Sequence, residues 1–180
     1  LYKIYASISK RFQIPKINAP ITLSTEMDSQ VSKDNLFGSE QFSVGGYYSV
    51  RGFRENYITG DSGYYFRNKA NFNLGQFLVP VLTSKKDNRS KDNFITKNAR
   101  HLYKFSMEPF YDYGYVKTKY NGQGEIDSGR LSGAGLKTIF SSKYFDASLT
   151  YSWGLQKSNL IASTDKENKM LYFELSTKCC

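Results

Sequence analysis

Residues 45–55 read GGYYSVRGFRE, and residues 60–68 read GDSGYYFRN. Glycines lie on both sides of Arg51, and glycine adopts backbone conformations that other residues avoid. The segments around this stretch alternate between apolar and polar residues, which is typical of β-strands. The sequence therefore predicts a long loop between strands, with an arginine at its glycine-flanked tip.

The alternation with period two is clearest in the segments Phe145–Gln156, Tyr103–Tyr115 and Tyr64–Leu74. In the third segment only Asn68 breaks the apolar face. These runs are longer than the ~5–6 residues of a typical soluble strand and match the ~9–11 residues of a tilted membrane strand. Further candidate strands bring the total to about seven: Tyr2–Gln13, Ile21–Val31, Gly129–Phe140 and Met170–Lys178.

Strands of this length in lipid require a closed barrel, because every backbone polar group must be paired within the protein. The predicted fold class is therefore all-β, an antiparallel transmembrane β-barrel with a long loop. Single-chain bacterial barrels have an even number of strands, so we interpret residues 1–180 as the C-terminal portion of a longer barrel. An antiparallel β-sandwich, whose strands also alternate, is the alternative.

Loop lengths test this topology, because such barrels alternate long outer loops with short inner turns. Most connections fit, but residues 75–100 should form a short inner turn and are long and basic. Either the protein carries a periplasmic insertion there, or the predicted strand parity is wrong.

The composition is polar on average but rich in aromatic residues. Mean hydropathy is −0.54, and aromatic residues make up 16% of the chain. No apolar run approaches the ~20 residues of a membrane helix. A barrel with a wet lumen and aromatic girdles accounts for this combination, and so does a soluble β-sandwich with a tyrosine-rich surface.

The net charge of +9 has several interpretations. Lysines concentrate in residues 84–97, which favours a solvated loop. We find no zinc-ligand spacing, helix-turn-helix or RNA-binding signature, so we expect no nucleic-acid partner. Contact with lipopolysaccharide phosphates or with a translocating chain is the remaining interpretation.

An enzyme is the least favoured class, because the sequence has no nucleophile elbow, phosphate loop or metal-ligand spacing. His101 is the only histidine, and Cys179 and Cys180 are adjacent at the end of the chain. We therefore predict no catalytic residue, no cofactor and no metal.

Two motifs resemble those of the outer-membrane transporters of two-partner secretion, the TpsB or haemolysin secretion/activation (ShlB/FhaC/HecB) family. Residues 50–53, VRGF, are similar to the signature tip of the loop that folds into the lumen of these barrels. Residues 110–114, FYDYG, match a second motif on the strand that receives the tip. The glycine-rich approach, the GDSG run and Arg67-Asn68 also fit, so the resemblance extends from about Ser39 to Phe173.

The residues of the two motifs predict a latch. Asp112 lies on the polar face of its strand and so points into the lumen, where the planar guanidinium of Arg51 can bond both carboxylate oxygens. We expect Gly52 to allow a tight turn and Gly114 to allow close approach of a backbone. The predicted loop tip is Val50, Arg51, Gly52 and Phe53, and the predicted acceptor is Phe110, Asp112 and Gly114.

The resemblance implies an outer-membrane pore that moves an unfolded exoprotein, of the haemolysin or adhesin type, to the bacterial cell surface without ATP. Expected partners are this client and the lipid and lipopolysaccharide of the outer membrane. Periplasmic POTRA domains are expected upstream. Four charged residues are expected to line the path: Arg67, Lys69, Lys104 and Glu108.

Two features depart from the family pattern. Lys69 follows the Arg-Asn pair where an acidic residue is usual, and the last strand lacks a terminal aromatic residue. Three other functions stay open on the sequence: a BamA-like assembly factor with a related barrel, a passive porin and a soluble β-sandwich binding module.

Overall fold

The computed structural model describes residues 1–15, 19–78, 104–119, 128–158 and 168–178. These ranges contain seven long strands and one short hairpin. Residues 74–78 are helical, and no helix in the described ranges is long and apolar enough to cross a bilayer. The strands are β1 (Tyr2–Ile14), β2 (Ala19–Val31), β3 (Phe42–Val44), β4 (Ile58–Gly60), β5 (Ser62–Asn73), β6 (Phe105–Lys117), β7 (Ser128–Ser141), β8 (Phe145–Gln156) and β9 (Lys169–Thr177).

The long strands form one antiparallel sheet in the order β1-β2-β5-β6-β7-β8-β9. All seven predicted strands are present, and the predicted segment Phe145–Gln156 coincides with β8. The strand starts shift by at most two residues: β6 begins two residues later than predicted, and β2 and β5 begin two residues earlier. The predicted antiparallel all-β class is confirmed. The hairpin of β3 and β4 was not predicted, because three-residue strands carry too little alternation to recognise.

The two faces of the sheet differ as the alternation predicts. One face is apolar, with large side chains that are exposed on the isolated sheet; Leu23, Leu149 and Phe173 are 47%, 48% and 68% exposed. The opposite face, here called the loop face, carries polar side chains and the long loop between β2 and β5. A strand with lipid on one side and a water-filled interior on the other needs one apolar and one polar face.

Asn68, the break in the apolar face, lies beside an interruption of the hydrogen-bond ladder. Pairing between β5 and β6 is continuous up to Lys69↔Phe110 and resumes at Phe72↔Met107. Pro109 lies within the gap and has no N–H to donate. The Asn68 side-chain amide donates to the carbonyl of Tyr111 at 3.1 Å and accepts the hydroxyl of Thr25 at 2.9 Å. This asparagine therefore supplies side-chain hydrogen bonds next to the point where the backbone pairing is interrupted.

The predicted strand parity is correct, because β5 and β6 are antiparallel neighbours. The chain therefore leaves β5 and enters β6 at the same end of the sheet as the short connections β1–β2 and β7–β8. Residues 79–103, which include most of the unexpectedly long connection, lie outside the described residues.

Asp61, in the GDSG run, joins three segments at the base of the long loop. Its carboxylate accepts the backbone N–H groups of Leu36 and Lys119, both at 2.8 Å, and the side-chain amide of Gln41 at 3.4 Å. Burial acts to raise the pKa of this carboxyl, but the hydrogen bonds and the Lys119 charge outweigh it and hold the pKa below its ordinary value. The loop is thus fastened where it leaves the sheet.

This arrangement predicts a pH effect on stability. Because the pKa of Asp61 is lower in the folded state, its contribution is fully present above the ordinary aspartate value of 3.8 and is lost as the pH falls through the folded value. We expect the melting temperature in detergent to fall more steeply as the pH drops below about 4 for the unmodified protein than for Asp61→Asn.

Asp34→Asn is the matched control, because Asp34 is an exposed aspartate of the same loop. That variant should retain the steep acid dependence. Equal acid slopes for the Asp61→Asn variant and the unmodified protein would contradict the role given to Asp61.

Candidate functional site

The long loop folds back onto the loop face because glycines turn its backbone. Gly45, Gly46 and Gly52 have φ angles of 118°, 101° and 101°, in the left-handed region that other residues rarely adopt. The turn is closed by the Gly46 N–H, which donates to the Val50 carbonyl at 3.1 Å. Ser49 adds a side-chain acceptor for the Gly45 N–H at 2.8 Å. The loop tip is therefore held by hydrogen bonds within the loop itself.

At the tip, Arg51 and Asp112 lie in direct contact. Arg51 Nε is 2.7 Å from Asp112 Oδ2, and Nη2 is 2.8 Å from Oδ1. The backbone N–H of Arg51 also donates to Oδ2, at 3.2 Å. The guanidinium carbon lies 3.4 Å from the ring centroid of Phe110, within the range of a cation–π contact. Both residues are buried, with exposures of 1% for Arg51 and 0% for Asp112.

Burial determines how the ion pair contributes to the free energy of unfolding. An exposed ion pair contributes only ~0–1 kcal/mol. In a buried pair the attraction is largely offset by desolvation, but removing one partner leaves an uncompensated charge and costs about 3–5 kcal/mol. The contact therefore resists partial breakage.

Val50 and Phe53 hold the tip by apolar packing. Both are fully buried in a cluster with Val44 of the loop and with Val116 and Leu131 of the sheet. The Phe53 ring stacks on Tyr57 with 5.2 Å between centroids. The Phe53 carbonyl accepts the hydroxyl of Tyr172 at 3.3 Å. The buried apolar cluster of the described residues therefore lies between the loop and the sheet.

Glycines on the sheet make room for the tip, and one prediction about them needs correction. A Cβ on Gly114 would meet the side chains of Val44 and Val50, at 2.4 and 2.9 Å, so Gly114 accommodates side chains rather than a backbone. The close backbone approach is at Gly133, where a Cβ would lie 1.9 Å from the Arg51 carbonyl oxygen. Gly154 likewise receives the Phe53 ring, which would lie 2.5 Å from a Cβ on this glycine.

The spacing of the glycines in β7 was a sequence signal for this close approach. Gly133 and Gly135 are two residues apart and therefore lie on one face of β7. Glycine in a strand interior often marks close approach of another backbone. The sequence of β7 alone does not identify the segment that approaches these glycines.

The charged residues predicted to line the path lie in different surroundings. Arg67 and Lys69 both pair with Glu26 of β2, each at 3.2 Å, and Glu26 was missed by the sequence analysis. Glu108 is buried on the loop face, with the Asn71 amide 3.5 Å from Oε2. Lys104 directly precedes β6 and is exposed. The structure therefore clusters Arg67 and Lys69 around one carboxylate.

Comparison with known proteins finds the same family as the motifs. The model of the haemolysin secretion/activation protein family ShlB/FhaC/HecB matches residues 1–85, which include the loop tip. The resemblance to this family that the motifs indicate is confirmed over residues 1–85. The outer membrane transporter CdiB of Escherichia coli O6:K15:H31 (strain 536 / UPEC) is 44% identical over 76 residues, or 42% of this chain. CdiB of Dickeya dadantii (strain 3937) is 47% identical over 62 residues, or 34% of this chain.

The matched regions span only 12% and 11% of these two relatives. Both are named outer membrane transporters, which confirms the predicted location in the bacterial outer membrane.

Solved structures extend the likeness in fold to most of the chain. CdiB from Acinetobacter baumannii has a TM-score of 0.67 at 18% identity, covering 96% of this chain and 26% of that one. CdiB from Escherichia coli has a TM-score of 0.64 at 23% identity, covering 96% and 27%. At these identities the likeness concerns the fold.

The close approach at Gly133 generates a test of the site. A Cβ there meets a backbone carbonyl that cannot rotate away, so Gly133→Ala should displace the tip and expose Arg51. Overpacking typically costs about 1–3 kcal/mol, so we expect trypsin cleavage after Arg51 in detergent to accelerate roughly tenfold. Mass spectrometry of the fragments measures this rate.

Gly38→Ala is the control, because a Cβ on Gly38 has no heavy atom within 4 Å. Its cleavage rate after Arg51 should equal that of the unmodified protein. An unchanged rate in Gly133→Ala would show that the seated tip does not depend on this close contact.

Proposed function

We propose that this chain forms part of the wall, and the folded-in loop, of an outer-membrane pore that carries an unfolded exoprotein to the cell surface in two-partner secretion. The observation that carries the proposal is the buried Arg51–Asp112 pair. It fastens a long loop to the polar face of a sheet whose other face is apolar.

The loop face suits passage of a polypeptide better than tight capture. Arg67, Lys69 and Glu26 place both signs of charge close together on neighbouring strands, so a passing chain would meet no large field of one sign. Arg67 and Lys69 both pair with the Glu26 carboxylate, although the Arg67 Nε is buried without a hydrogen-bond partner among the described residues. We infer that a haemolysin- or adhesin-like client would slide past these groups without binding strongly to them.

The loop acts as a latch in this proposal. When the tip leaves, Arg51 and Asp112 must exchange their mutual hydrogen bonds for water or for polar groups of the client. A water-filled lumen can supply those replacements, whereas lipid cannot. The energetic cost of a half-broken pair keeps the loop seated until such replacements arrive.

The proposal predicts the effect of removing the arginine. Arg51→Ala leaves Asp112 as a buried, unpaired carboxylate, so the tip should detach. We expect secretion of the client by the full-length transporter to be abolished while folded barrel remains. Client in the culture medium is measured by immunoblot, and the folded barrel by its heat-dependent mobility on gels.

Arg54→Ala is the matched control, since Arg54 is an exposed arginine of the same loop. This variant should secrete normally. Normal secretion by Arg51→Ala would rule out the latch.

A further inference from the structure

The loop touches the sheet at a second polar contact, centred on Tyr47. Its hydroxyl donates to Glu174 Oε2 of β9 at 2.8 Å and accepts from Lys137 Nζ of β7 at 2.7 Å. Lys137 Nζ is also 2.7 Å from Glu174 Oε2. Ser148 of β8 donates to the same carboxylate oxygen at 2.8 Å. One loop hydroxyl thus closes a network that spans three neighbouring strands.

The loop is shaped to present this hydroxyl. The Tyr47 N–H donates to Glu55 Oε1 at 2.8 Å, across the loop. Gly46 permits that bond, because a Cβ there would lie 2.2 Å from the Glu55 carboxylate. The Tyr47 ring packs against Tyr172 of β9, with 5.0 Å between centroids. The position of Tyr47 is therefore defined by a backbone hydrogen bond and by packing of its ring.

This contact differs from the Arg51–Asp112 pair in its access to water. The side chains of Arg51 and Asp112 are 2% and 0% exposed, whereas those of Lys137 and Glu174 are 17% and 47% exposed. Water and salt screen a partly exposed pair and leave a dry pair nearly unaffected. The two contacts also lie on different strands. The buried Arg51–Asp112 pair involves β6, whereas the partly exposed Tyr47 network involves β7 to β9.

We propose that Lys137 and Glu174 are positioning residues that form a second, salt-sensitive anchor for the loop by binding the hydroxyl of Tyr47. This inference rests on the proposed role of the loop as a latch. The network of Tyr47, Lys137 and Glu174 sets how often the part of the loop around Tyr47 separates from β7–β9. The Arg51–Asp112 pair sets whether the loop tip stays attached. Donors on a passing client can replace Tyr47 at the exposed carboxylate without unseating Arg51.

The test is the salt dependence of current fluctuations through the full-length protein in planar lipid bilayers. Glu174→Gln removes the charge of the anchor and keeps its shape. We expect fluctuations about two- to five-fold more frequent at low salt, the range for a partly exposed pair, and little further rise with added KCl. The unmodified protein should fluctuate more often as KCl increases.

Asp146→Asn is the matched control. Asp146 of β8 also forms a 2.7 Å pair with a lysine, but its partner is Lys178 rather than the loop network. This variant should behave like the unmodified protein. Equal effects of Glu174→Gln and Asp146→Asn, or fluctuations of the unmodified protein that ignore salt, would overturn the anchor.

Tyr47→Phe separates the hydroxyl from the ring. It keeps the packing on Tyr172 and should reproduce the effect of Glu174→Gln, and the double variant should add nothing beyond either single variant, because both changes remove one contact. Additive effects would contradict the network. Heat-dependent mobility on gels again verifies the folded barrel.

The outcomes also separate this inference from the transport proposal. Intact secretion by Arg51→Ala together with altered fluctuations in Glu174→Gln would refute the transport latch and retain the second anchor. Abolished secretion by Arg51→Ala together with ordinary fluctuations in Glu174→Gln would refute the second anchor alone.

Discussion

The buried pair of Arg51 and Asp112 is the interaction on which the arrangement of the loop depends. A guanidinium with 1% exposure is tolerable only because both carboxylate oxygens face it and an aromatic ring lies beside it. The surrounding backbone meets this requirement. Gly52 turns the tip, and Gly133 lets the Arg51 carbonyl approach the sheet. The charge and the glycines therefore form one structural unit.

The apolar packing of the described residues follows from the same contact. A membrane-spanning sheet turns its large apolar side chains outward, which leaves its polar face without a hydrophobic core of its own. Here the loop brings Val44, Val50 and Phe53 onto Val116 and Leu131. Displacing the tip would expose these side chains as well as the two charges. Seating is thus cooperative, because charge pairing and apolar burial are gained or lost together.

The contacts that attach the loop differ in their exposure to water. At its base, Asp61 accepts backbone N–H groups from Leu36, near the start of the loop, and from Lys119, just after β6. At its tip the Arg51–Asp112 pair is buried, whereas Tyr47 contacts Lys137 and Glu174 in a partly exposed network. In the proposed mechanism, such a gradient would allow part of the loop to respond to ions or to a client while the rest holds its place. A uniformly dry loop would lack that intermediate response.

The amino-acid pattern by itself determined the seven long strands and their two faces, because side chains alternate along a strand. It also placed Asp112 on the polar face of its strand, where a carboxylate can bond both prongs of a guanidinium such as that of Arg51. The resemblance to a transporter family supplied the strand on which that carboxylate lies.

Tertiary structure alone decided the contacts that depend on where the loop crosses the sheet. Lys137 and Glu174 meet Tyr47 because β7, β8 and β9 pair in one particular register, including an irregularity between Ser132 and Gly133. The bonding of Asn68 beside Pro109 likewise joins three strands. Such contacts combine residues distant in sequence, and no periodicity within a single strand encodes them.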